Sequence, residues 1–147
     1  MSAASRRTHP VWSAVCATAL ISLATFAGAA LSAEVKVTLS GDQEVPPVKT
    51  GGSGHGTISV AADKSVTGSV TTMGVPGTMA HIHEGAPGKN GGVAVPLTKS
   101  GDNTWSVPPG AKLSDAQFEA FKAGNLYVNV HSAANPGGEV RGQIKPQ

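Results

Sequence analysis

The sequence predicts an all-β protein, a Greek-key-like antiparallel β-sandwich with one short helix near residues 114–123. Three observations carry that reading. Apolar and polar residues alternate with period two through several short segments. The 19 glycines and 10 prolines gather largely between those segments, where they mark turns. A single stretch, opening at Ser114, has the cap and the periodicity of a helix.

In chain order, the first 33 residues read as a signal peptide. Arg6 and Arg7 form a positive n-region, and an apolar stretch follows from Val11 to Leu31. Leu31-Ser32-Ala33 supplies small residues for cleavage, which makes Glu34 the mature N-terminus. Cleavage after Ala29 or Ala30 is an alternative. A retained anchor is another, since roughly 20 apolar residues span a bilayer. Ser13, Thr18, Ser22, Thr25 and Gly28 interrupt the stretch and favour cleavage. Ser5-Arg6-Arg7 is a partial twin-arginine pattern, with His9 and Pro10 where hydrophobic residues would follow. The expected location is periplasmic or secreted, with no membrane attachment once the leader is gone.

Residues 34–147 then form one domain. Arg6 and Arg7 leave with the leader, so nine basic residues remain against nine acidic ones and the net charge is zero. Without clustered Lys and Arg there is no footprint for nucleic acid. Cys16, the only cysteine, also leaves, which excludes disulfides and thiolate metal sites.

Val35 to Leu39 alternates as a half-buried strand, and Ser40 to Gly56, with Pro46-Pro47 and a glycine run, reads as a loop. Thr57 to Val60 and Ser65 to Thr72 are strands joined by a turn at Ala62-Asp63-Lys64. Met79 to His83, Val93 to Leu97 and Trp105 to Val107 are further strands, the first two separated by a break at Gly85 to Gly92. For the helix, Ser114 is the N-cap and Gln117 completes a capping box. Leu113 staples to Phe118, Phe118 and Phe121 share a face, and Gly124 ends the helix. Leu126 to His131 is the strand with the strongest propensity.

Ala80-His81-Ile82-His83-Glu84 is the most informative segment. On a strand, His81 and His83 share one face and Ile82 takes the other, toward the core. The two imidazoles are then separated by about 7 Å of backbone, which lets both rings converge on one cation. Tyr127-Val128-Asn129-Val130-His131 repeats the pattern, with Val128 and Val130 inward and His131 outward. If the two strands are neighbours, three imidazoles meet. His55, in the glycine-rich loop, is an optional fourth ligand. An all-histidine set favours Cu(II) or Zn(II) over Cu(I); Met73 and Met79 offer thioethers as an alternative but are assigned to the core. The bland account gives the histidines structural hydrogen bonds, with Glu84 or Asn129 as partners. No catalytic residue is assigned. Ser132 and His131 point to opposite faces, and nothing brings Glu84 and Glu139 together as an acid/base pair. Arg141, ten residues after His131 across the turn at Asn135-Pro136-Gly137-Gly138, returns beside the histidines to pair with Glu139 or Glu84, or to attract an anion.

Gly41-Asp42-Gln43-Glu44-Val45-Pro46-Pro47 resembles the opening motif of chordin (CHRD) domains. Ala80 to Gly85, with Gly88 to Leu97, resembles their central motif, and Gly124 to His131 with Asn135 to Gln143 their C-terminal signature. Together these cover the mature chain in order. The resemblance implies an exported member of that family, standing alone. Growth-factor antagonism, the role of these domains in animal chordin, is not carried over. A weaker similarity is to Cu,Zn superoxide dismutase, in which His81 and His83 match a His-x-His strand, His131 a later copper ligand and Arg141 an arginine near the metal. The chain lacks that family's cysteines and zinc loop. Three readings follow: an exported module binding copper or zinc through His81, His83, His131 and His55; an extracellular or cell-surface protein-interaction module with structural histidines; and a copper-only dismutase-like redox protein.

Overall fold

The computed structural model describes residues 32–147, so the leader predicted over residues 1–33 lies outside the described residues except for Ser32 and Ala33. Nine strands and one helix follow in order: β1 (Ser32–Ser40), β2 (Ser53–Ala61), β3 (Val66–Met73), β4 (Gly77–Glu84), β5 (Val93–Pro96), β6 (Thr98–Lys99), β7 (Thr104–Ser106), α1 (Asp115–Lys122), β8 (Leu126–Ser132) and β9 (Val140–Ile144). Among the described residues no helix is long and apolar enough to cross a membrane.

All strands join one antiparallel sheet in the order β5-β4-β8-β9-β1-β2-β3-β7-β6. Its two edges are consecutive in sequence, with only Leu97 between β5 and β6. The Leu97 N–H donates to the Ala80 carbonyl at 2.9 Å, while Thr98 and Lys99 pair with Ser106 and Trp105. One short segment therefore ties both edges together. The sheet curls into a nearly closed, flattened barrel with two layers over a common core, the all-β sandwich that the alternation predicts. Curling of this kind leaves few unpaired backbone groups at an edge.

The core follows from the period of two. Val35, Val37 and Leu39 point inward from β1, as do Ile58 and Val60 from β2 and Val66 and Val70 from β3. Ala80 and Ile82 from β4, Val128 and Val130 from β8, and Val140 and Ile144 from β9 meet them. Each such valine, leucine or isoleucine contributes about 1.5–3 kcal/mol through removal from water.

The helix forms as its cap predicts. The Ser114 hydroxyl accepts from the Gln117 N–H, and the Gln117 side chain accepts from the Ser114 N–H. Leu113 and Phe121 are buried, and Phe118 packs partly buried beside them.

Three expectations need correction. The loop assigned to 40–56 ends sooner, because β2 starts at Ser53 and the glycine run continues the pairing with β1 and β3. Gly56 fits there because the neighbouring backbone of β3 is too close for a Cβ, which would lie 2.1 Å from the Ser69 carbonyl oxygen; one at Gly54 would sit tightly, 3.1 Å from the Thr71 carbonyl oxygen. A strand not predicted, β9, follows the Asn135–Gly138 turn and joins β8 to β1. Met73 and Met79 are not core residues; they are 59% and 48% exposed.

Candidate metal centre

The outer face of β4, β8 and β9 carries the polar residues that the alternation leaves over. Strand β8 lies between the other two, and its register sets Asn129 opposite both His81 and Arg141, and Tyr127 opposite both His83 and Gln143. Every residue of β8 is buried. Its inner side chains meet the core, and its outer ones lie beneath loops around Glu44, Gly91 and Pro136.

His81, His83 and His131 come together on this face. Ring nitrogens from the three lie within 4.8 Å of one another. His81 Nδ1 and His131 Nε2 are 3.1 Å apart. Nitrogens sharing one ion at about 2 Å are separated by about 3–4 Å, so the widest gap closes with about 1–2 Å of approach between side chains.

Backbone carbonyls fix how two of the rings present themselves. His131 Nδ1 donates to the Pro136 carbonyl at 2.9 Å, and His83 Nδ1 donates to the Gly91 carbonyl at 3.0 Å. A neutral imidazole with a proton on Nδ1 keeps a lone pair on Nε2. His131 Nε2 faces His81. His83 Nε2 is buried without a hydrogen-bond partner. Burial pulls His83 below its ordinary value of 6.5, and the imidazole of His131 and the guanidinium of Arg141 add to the effect against the bonds to Gly91 and Gly92. Burial also lowers His81, with His131 and His83 contributing. Both shifts favour the neutral, lone-pair-bearing form at neutral pH.

A stack supports His83 from the side. Its ring lies parallel to that of Tyr127, 7° apart with centroids at 5.0 Å, and the Arg141 guanidinium lies 3.5 Å from the Tyr127 centroid. The Tyr127 hydroxyl accepts from the Gly91 N–H at 3.2 Å, so the residue that stacks on His83 also holds the peptide beside it. Gly91 must be glycine, since a Cβ there would lie 1.6 Å from the Glu84 carbonyl oxygen.

Arg141 does return to the histidine face, but its expected partners are elsewhere. It is 1% exposed and donates to the Asn90 side chain, the Ala86 carbonyl and the Gln143 side chain. Glu139 accepts instead from the Thr50 hydroxyl, and Glu84 is exposed at the far end of β4. These two carboxylates lie at opposite ends of β8, beside Val130 and Leu126, and form no acid/base pair. Asn129 serves Glu44 rather than a histidine. Glu44 is buried, and desolvation pushes its pKa up to about 7 against the pull of Arg141 and the Asn129 hydrogen bond.

His55 is not part of the cluster. It is exposed on β2, opposite Thr38 and Thr71, three strands along from β8 or about 14 Å by the usual interstrand spacing. The side chains of the trio were legible in the sequence; the carbonyls of Gly91 and Pro136 and the buried Glu44 were not. A carbonyl carries no residue-type signature, and only folding brings these loops over β8.

The CHRD domain family model matches residues 35–144. Comparison with curated proteins and with solved structures gave no match.

Proposed function

The chain belongs to the CHRD domain family, and from that premise we propose that it is an exported binding module whose His81, His83 and His131 hold a copper or zinc ion. One observation carries the reading: His83 Nε2 is a buried lone pair with no partner, while the opposite nitrogen of the same ring is committed to a carbonyl. A buried acceptor left unpaired costs about 1–3 kcal/mol. A cation between the three rings removes that cost. Metal-binding histidines typically donate their other N–H to a carbonyl or carboxylate, as His83 and His131 do here. The donor set of neutral imidazoles suits copper and zinc, and three protein ligands leave a coordination position for water or a further ligand. Export is supported by Arg6 and Arg7, the apolar stretch from Val11 and the small residues before Glu34.

Metal content of untagged protein, loaded with Cu(II) or Zn(II) and freed of excess, tests the proposal. The expected result is one equivalent in the parent and loss of binding in His81→Ala/His83→Ala. No uptake by the parent would overturn it.

A second reading, an interaction module with structural histidines, is favoured by the same two carbonyl bonds, because they anchor the loops over β8. That account predicts a lower melting temperature for metal-free His131→Gln and no stoichiometric metal in any variant.

A further inference from the structure

Met79 stands out against the chemistry of its surroundings. It is 48% exposed, one of three large hydrophobic residues so placed among the described residues. Met79, His81 and His83 alternate with buried Ala80 and Ile82 along β4, so the thioether shares the histidine face. Its direct partner across the strand pair is His131. Side chains directly opposite in an antiparallel pair have Cβ atoms about 4.5–5.5 Å apart. The register of β4 against β8 also shifts between Gly77 and Met79, a bulge of the kind that re-aims side chains beside functional sites. Met79 is thus flanked by two of the three histidines, one along its strand and one across from it.

We infer that Met79 is a soft fourth arm of the centre, whose sulfur joins the imidazoles when the ion is Cu(I). The inference rests on the metal-binding reading above and narrows it to copper. A thioether is a soft donor that selects Cu(I) over Cu(II) and Zn(II). Its three rotatable bonds let an exposed side chain close on an ion at little cost, and no core packing opposes the movement. The proposal concerns binding alone and assigns no electron transfer.

Competition with bicinchoninate for Cu(I), alongside Cu(II) and Zn(II) titrations, tests it on the parent, Met79→Leu and Met73→Leu. Leucine keeps the size and apolarity of the side chain, and Met79 is not in the core, so folding is preserved. Met79→Leu is expected to weaken Cu(I) binding by about tenfold or more and to leave Cu(II) and Zn(II) within about twofold. Met73→Leu, exposed at the end of β3, should match the parent for all three ions. Unchanged Cu(I) affinity in Met79→Leu overturns the inference while leaving the histidine centre standing. Equal weakening for all three ions, or for Met73→Leu, overturns it as well. A parent that binds none of the ions overturns the centre and the inference together.

Discussion

At the scale of single residues, the centre depends on which nitrogen of each ring carries the proton. Gly91 and Pro136 draw it to Nδ1 of His83 and His131, and burial keeps His81 and His83 below their ordinary value. A depressed histidine means that the unfolded chain binds protons first as pH falls. In metal-free protein the contribution of His81 and His83 to stability is therefore present above 6.5 and is lost as pH drops from there toward their lower folded values. Glu44 works in the opposite sense. Its folded pKa of about 7 lies above the ordinary 4.5, so between those values the folded state holds the extra proton. Its contribution is fully present below 4.5 and is lost as pH rises to about 7. Glu44→Gln removes that opposing slope. Melting temperatures of metal-free protein between pH 5 and 7 should rise more steeply with pH in Glu44→Gln than in the parent. Parallel curves would show that Glu44 is not held protonated by its burial.

At the scale of elements, β8 is the floor of the site and is covered on both sides, although the sequence reads as a strand with one wet face. Tyr127, Asn129 and His131 alternate outward as expected. The loops that cover them are irregular, and they are fastened by Glu44, Gly91 and Pro136 rather than by any periodic pattern. Gly138 makes one such closure possible. Its φ is +133°, and a Cβ there would lie 2.3 Å from Asn129 Nδ2 and 2.7 Å from Glu44 Oε1. Gly138→Ala should cost about 2 kcal/mol through backbone strain and displacement of the Glu44–Asn129 pair. Urea denaturation of the metal-free protein checks this, with a lowered midpoint at unchanged slope. A midpoint equal to that of the parent would mean that the loop accommodates the methyl group elsewhere.

At the scale of the whole molecule, the closed sheet explains why distant segments share one site. His81 and His131 are 50 positions apart in sequence, yet β4 and β8 are adjacent because β5 to β7 and α1 turn away before β8 returns. The strand faces, the capped helix and the histidine trio were legible in the sequence because each rests on local periodicity or on a cap. Strand β9 was not: Gly142 interrupts its alternation, and it is required because a Cβ would lie 2.5 Å from the Thr38 carbonyl oxygen. Met79 was misassigned for a related reason. An apolar residue ordinarily faces the core, and that expectation overrode the alternation, which with Ile82 inward sets Met79 on the face of His81 and His83. The exclusion of His55 likewise needed the strand order, which sets it three strands away from β8.

The central claim, one ion shared by His81, His83 and His131, is tested most directly by X-ray absorption at the copper edge of protein loaded with one equivalent of Cu(II). The account predicts three imidazoles at about 2 Å from the metal, falling to two in His83→Ala. A shell with one imidazole or none, or a spectrum unchanged in His83→Ala, would contradict it.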